Sequence, residues 1–169
     1  MNRLYISHII QSVIIVLVQI FLLKNVQVPV LDRFILTIII YPMVIIFLPL
    51  ELRRVFVIFL AFALGLFIDI FYDTLGIHTA ALVLTGFLRT PILQLLEPRQ
   101  GYRNAISLSA SNYGFSWLAT YVGIMMVIHL LAYFSIDAFT FVFIVKIIAN
   151  TMLTFVASYI IIILYKLLV

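Results

Sequence analysis

The stretch Gly65-Leu66-Phe67-Ile68-Asp69-Ile70-Phe71-Tyr72-Asp73-Thr74-Leu75-Gly76-Ile77-His78 joins the end of one apolar segment to the start of the next. It holds Asp69 and Asp73, two of the six acidic residues in the chain. Read backwards, Ala61, Gly65, Asp69 and Asp73 recur every fourth residue, so a helix puts them in one slowly drifting stripe. Small residues on that stripe let a second helix come close, and the carboxylates beyond them need a partner or water. The stripe is expected to face protein or a wet cavity rather than lipid. Gly65, Asp69, Asp73 and Gly76 are therefore candidates for a polar interior site.

The rest of the chain fits a helix-rich membrane protein. Of 169 residues, 66% are hydrophobic and 9% charged, and the mean hydropathy is +1.32. Soluble domains carry about 25% charged residues, so a soluble domain is excluded. Runs of about 20 apolar residues cross a bilayer as helices. The expected fold is all-α: a single integral membrane domain over residues 1–169, with about six transmembrane helices. Their expected ranges are 4–23, 34–50, 55–72, 78–97, 112–134 and 138–165, with Pro42 as a kink in the second and Arg89 and Pro91 interrupting the fourth. The N-terminal segment reads as a retained helix, because no small-residue cleavage site follows a short apolar region.

Orientation follows from the basic residues at the span ends. One side collects Arg3, Arg53, Arg54, Arg99, Arg103 and Lys166, and the other only Lys24 and Arg33. Both termini are expected in the cytoplasm.

Other spans carry polar stripes. Lys146, Asn150, Thr154 and Ser158 recur every fourth residue on the last one. His8, Gln11, Ser12 and Gln19 share a face of the first, and Ala81, Thr85 and Arg89 a face of the fourth. Thr154, Ser158, Gln11 and Gln19 are expected to make ordinary interhelical hydrogen bonds, each contributing about 0.6 kcal/mol. Lys146 is expected either to snorkel to the surface or to pair with Asp69. Arg89, deeper in its span, is expected to pair with a carboxylate or with free carbonyls.

Several chemistries lack their residues. Without cysteine there is no thiol catalysis and no thiolate metal site. Asp69 and Asp73 lie one turn apart on one segment and do not face each other across a cleft, as an aspartyl protease requires. Tyr72-Asp73 matches half of a presenilin-type signature, but no Gly-x-Gly-Asp follows. The paired motifs of lipoprotein signal peptidase are missing as well. His8, His78 and His129 lie on separate spans without metal-ligand spacing and read as interfacial residues. No phosphate-binding loop or nucleic-acid motif is present, so no cofactor and no nucleic-acid partner is expected.

The run Gly65-Leu66-Phe67-Ile68-Asp69, followed by Leu75-Gly76-Ile77-His78 and the apolar Ala80-Ala81-Leu82, resembles the rod shape-determining protein MreD family. The likeness covers nearly the whole chain in layout and about 61–89 in motif. The turn after Asp69 is one residue shorter than usual, and Asp73 stands where the family often has glycine. The resemblance implies a fold similar to the substrate-binding subunits of energy-coupling-factor vitamin transporters. It also implies a non-enzymatic scaffold of the cell-elongation complex that binds the bitopic protein MreC. Through MreC it would reach the actin-like MreB filament, a glycan polymerase and a penicillin-binding transpeptidase, and so peptidoglycan synthesis and cell shape.

The second reading is the transporter subunit itself. Such subunits dock through an Ala-x3-Ala motif in the first span, and residues 4–23 contain neither alanine nor glycine. A lipid-modifying enzyme is a third reading, but it lacks convergent acid, base or metal groups.

Overall fold

The computed structural model describes residues 2–30, 33–99, 101–102 and 108–168. Arg103, counted above for orientation, lies outside them. Seven α-helices and one β-hairpin are present among the described residues: α1 (Asn2–Phe21), β1 (Gln27–Val30), β2 (Phe34–Thr37), α2 (Pro42–Ile46), α3 (Arg54–Tyr72), α4 (Ile77–Leu95), α5 (Ala110–Tyr113), α6 (Phe115–Ala138) and α7 (Ile144–Leu168). The chain is a helical bundle. Four segments, His8–Asn25, Arg54–Tyr72, Phe115–Ala138 and Ile144–Leu168, are long and apolar enough to cross a membrane. α4 has 19 residues, but it carries the buried polar side chains His78, Thr79, Thr85 and Arg89.

The segment expected as a second transmembrane helix, 34–50, is not one. It begins as β2, antiparallel to β1 with Val28 opposite Leu36 and Pro29 opposite Ile35, continues extended to Ile40, and then makes the single turn and a half of α2. The local sequence explains this. Ile35, Thr37, Ile38, Ile39 and Ile40 are β-branched and favour extended backbone. Pro42 is not a kink but the first residue of α2, where its missing N–H is no loss. Pro49 follows the helix end.

An extended segment inside a bundle needs partners for its backbone, and α7 supplies them. The amide of Ile35 donates to Asn150 Oδ1 at 3.1 Å, that of Thr37 to Thr154 Oγ1 at 3.3 Å, and that of Ile39 to Ser158 Oγ at 2.8 Å. Four residues of helix rise ~6 Å, and two residues of strand ~6.7 Å, so a period-four stripe matches alternate amides. The intervening amides of Phe34 and Leu36 then face β1. The missing N–H of Pro29 falls on the outer edge of β1, where nothing needs it. Gln19 of α1 completes the set: Oε1 accepts from Ile40 N at 2.8 Å, and Nε2 donates to Ile38 O at 3.1 Å and to Tyr72 Oη at 2.8 Å. Thr154 and Ser158 thus bond the backbone of the 34–40 segment rather than a neighbouring helix, while Gln19 bonds both that segment and Tyr72 of α3.

α3 and α4 form the tightest helix pair. Val57, Ala61, Gly65, Ile68 and Asp69 make the buried face of α3. A Cβ at Gly65 would lie 2.4 Å from Thr79 Cα, and one at Gly86 3.1 Å from Ala61 Cβ, so this contact depends on small residues. Gly76 is needed for its backbone instead: its φ is +86° and its surroundings are open. α2, α4 and α6 enclose the centre of the core, where Tyr41, Ile45, Ile46, Leu82, Leu118 and Met125 are fully buried. α1 is peripheral, with Ile6, Ile10, Val13, Leu17 and Phe21 exposed along it.

Asp73 does not continue the buried stripe. It is the left-handed residue that ends α3, at φ 53°, and its amide donates to Asp69 O. This is the position where glycine costs least. Asp73→Gly is expected to leave thermal stability in detergent unchanged or slightly raised. Asp73→Val, β-branched in the left-handed region, is expected to lower it by ~1–2 kcal/mol. Equal losses from both substitutions would mean that the Asp73 side chain, not its backbone, matters.

Candidate functional site

Asp69 sits one turn after Gly65 and points at the first turn of α4. Oδ1 accepts from His78 N at 3.0 Å and from the Thr74 hydroxyl; Oδ2 accepts from Thr79 N at 2.9 Å and from the Thr79 hydroxyl. These four donors fill the four acceptor sites of an ionised carboxylate. The N-cap residue of α4 is Gly76, which has no side chain, so the cap comes from the preceding helix. The carboxylate also meets the positive end of the α4 dipole. The expected pairing of Asp69 with Lys146 does not form. Lys146 is exposed at the start of α7 and lines a 230 Å³ cavity with Asp137, Phe134 and Asn150.

Arg89, 2% exposed, reaches from α4 to the end of α2. Nε donates to Ile46 O at 3.3 Å and Nη2 to Leu48 O. The Tyr121 hydroxyl donates to the same Ile46 carbonyl at 2.9 Å. Carbonyls at a helix end have no intrahelical partner, and a buried guanidinium is well matched to them. Other freed carbonyls are met in the same way. Pro91 has no N–H for Phe87 O, and Arg54 donates to that oxygen at 3.2 Å with its guanidinium 4.1 Å from the Phe87 ring. Lys24 donates to Phe71 O at the end of α3. At the end of α4, Trp117 donates to Leu96 O at 2.7 Å and Tyr102 to Leu93 O. Burial, with Glu97 adding to it, pushes the Tyr102 phenol up to about 12, so it remains a donor.

The centre of the bundle holds an uncharged polar chain. His78 and His129, expected at the membrane interface, are 1% and 0% exposed and converge on Tyr41. The Tyr41 hydroxyl is 2.8 Å from His78 Nδ1 and 2.9 Å from His129 Nε2, and His129 Nδ1 is 2.9 Å from Thr85 Oγ1. Thr85 donates to Ala81 O at 2.7 Å, which fixes the direction of the rest. Its oxygen accepts from His129 Nδ1–H, leaving Nε2 bare to accept from Tyr41. Tyr41 in turn accepts from His78 Nδ1–H. Within this chain of four side chains, the buried Nε2 of His78 is left without a partner. The rings of Tyr72 and Tyr133 lie against His78, with centroids at 4.6 and 5.0 Å.

The sequence stripes pointed to Asp69, Arg89 and Asn150 but not to Tyr41. A tyrosine beside a proline in an apolar run carries no signal of its own. His129 had one: Tyr121, Met125 and His129 recur every fourth residue and all face inward. Among the described residues, no group of three or more histidine, aspartate or glutamate side chains is placed to hold a metal ion. The fold and site together define a helical bundle whose apolar helices can cross a membrane and whose apolar core encloses a set of bonded polar side chains. No family model, curated protein or solved structure matches the chain.

Tyr41→Phe removes the hydroxyl shared by both imidazoles and leaves His78 Nδ1 and His129 Nε2 buried without a partner. At ~1–3 kcal/mol for each orphaned group, the expected loss is at least ~2 kcal/mol in thermal or denaturant unfolding. A loss below ~0.5 kcal/mol would mean that the network is not formed in the folded protein.

Proposed function

We propose that this chain is a non-enzymatic scaffold subunit of the bacterial cell-elongation machinery, of the rod shape-determining MreD type. It would sit in the inner membrane with both termini in the cytoplasm and cross about six times. α1, α3, α4, α6 and α7 make five of those crossings, and the segment from β2 through α2 makes the other. The observation that supports the reading is where the interior polar groups go. Asp69, Arg89, Gln19, Asn150, Thr154 and Ser158 all bond backbone of this chain. They hold the fold together instead of converging on a substrate, which leaves the surface for function. The MreD-like residues, about 61–89, form the capped α3–α4 hairpin.

The expected partner is the bitopic protein MreC, and through it the MreB filament, the glycan polymerase and the penicillin-binding transpeptidase. The exposed apolar face of α1 is a surface on which a single membrane helix can pack.

One observation favours the alternative, a small-molecule subunit of an energy-coupling-factor transporter. The 230 Å³ cavity at Phe134, Asp137 and Lys146 presents both signs of charge. The absence of alanine and glycine from 4–23 weighs against close docking of that kind.

A photo-cross-linking residue at Ile10 or Ile14 on α1, followed by purification from native membranes, separates the two. The scaffold reading expects a cross-link to MreC and recovery of cell-wall synthases. Recovery of an ATPase with a transmembrane coupling subunit would replace it with the transporter reading.

A further inference from the structure

An open apolar groove runs between α1 and α3, floored by α2. It has a volume of about 460 Å³ and is lined by Val13 of α1, Val44 and Leu48 at α2, and Phe56 and Leu60 of α3, among others. At one end it merges with a small pocket of mixed lining, because His8, Ser12, Val44, Leu48 and Pro49 line both. That pocket adds Gln11, Tyr165 and Lys166. The Lys166 ammonium is held there 4.7 Å over the Phe47 ring. The turn before α3 carries Glu51 and Arg53, while Arg54 is turned to Phe87 of α4.

We propose that this groove binds an anionic phospholipid, with an acyl chain along α1 and α3 and the phosphate at Lys166 and His8. Charge selects that occupant: the Lys166 ammonium in a pocket between helices favours an anionic headgroup, and the lining beyond Ser12 is apolar, as a hydrocarbon tail requires. The inference needs only that α1 and α3 lie in a bilayer, and it stands whether or not the scaffold reading holds.

The test is native mass spectrometry of the full chain, stripped of lipid in detergent and then offered phosphatidylglycerol, phosphatidylcholine or inorganic phosphate. Phosphatidylglycerol is expected to be retained about fivefold over phosphatidylcholine, the ratio that one basic residue near an anionic lipid supplies. Lys166→Gln should remove that preference and Lys166→Arg restore it, which separates loss of charge from loss of fold. Leu60→Trp, which fills the groove, should reduce retention of both lipids. Equal retention of the two lipids, or a preference that survives Lys166→Gln, would overturn the proposal. So would displacement of phosphatidylglycerol by inorganic phosphate, which would make the pocket a site for free anions. Appearance of a dimer in place of the lipid adduct would assign the groove to a second copy of the chain.

Discussion

Backbone N–H and C=O groups in an apolar medium must be bonded within the protein, because no water is there to take their place. Helices meet this condition from their own chain; an extended segment does not. Residues 34–48 break the helical pattern in the middle of this bundle, and much of the remaining polar chemistry answers that break. One edge of β2 pairs with β1. The other edge bonds Asn150, Thr154 and Ser158, the continuation bonds Gln19, and the carbonyls at and just past the end of α2 bond Arg89 and Tyr121. The segment runs the length of α7, from Ile35 beside Asn150 to Phe47 under Lys166.

The same condition explains why charges are tolerated inside. A buried charge is costly without partners. Asp69 meets four donors around the first turn of α4, and Arg89 meets the carbonyls at the end of α2. Each charge satisfies groups that would otherwise be orphaned at a helix end. Gly65 makes the first arrangement possible, because any side chain there would push α4 out of reach of Asp69. The Tyr41 chain obeys a related rule without charge: each donor meets an acceptor, and one imidazole nitrogen is left over.

Much of this was legible in the sequence, but not all. The apolar runs disclosed a helical bundle with helices apolar enough to cross a membrane, and the Ala61–Gly65–Asp69 spacing disclosed the inward face of α3. The period-four stripe on the last helix was visible too, but its partner was not. A helical stripe of Asn, Thr and Ser looks the same whether it meets a helix or a strand. The run 34–40 is apolar throughout, so periodicity does not separate helix from strand there, and only its β-branched residues and flanking prolines hint at the outcome. Pairwise contacts were the least legible. Asp69 and Lys146 are matched by charge alone, yet local geometry gives Asp69 to its own hairpin. Distance to the span ends places His78 and His129 near the surface, whereas the bundle buries both, His78 against Tyr72 and Tyr133 and His129 against Tyr41.

The central claim is that side chains of α7 hold an extended segment by its backbone. Residue-resolved hydrogen exchange of Ser158→Ala against the unaltered chain tests it most directly, because Ser158 Oγ is the acceptor for Ile39 N–H at 2.8 Å. The account predicts faster exchange at Ile39 in the variant, while amides in the middle of α3 and α4 keep their protection. Unchanged exchange at Ile39 would contradict it and return 34–50 to an ordinary helical span.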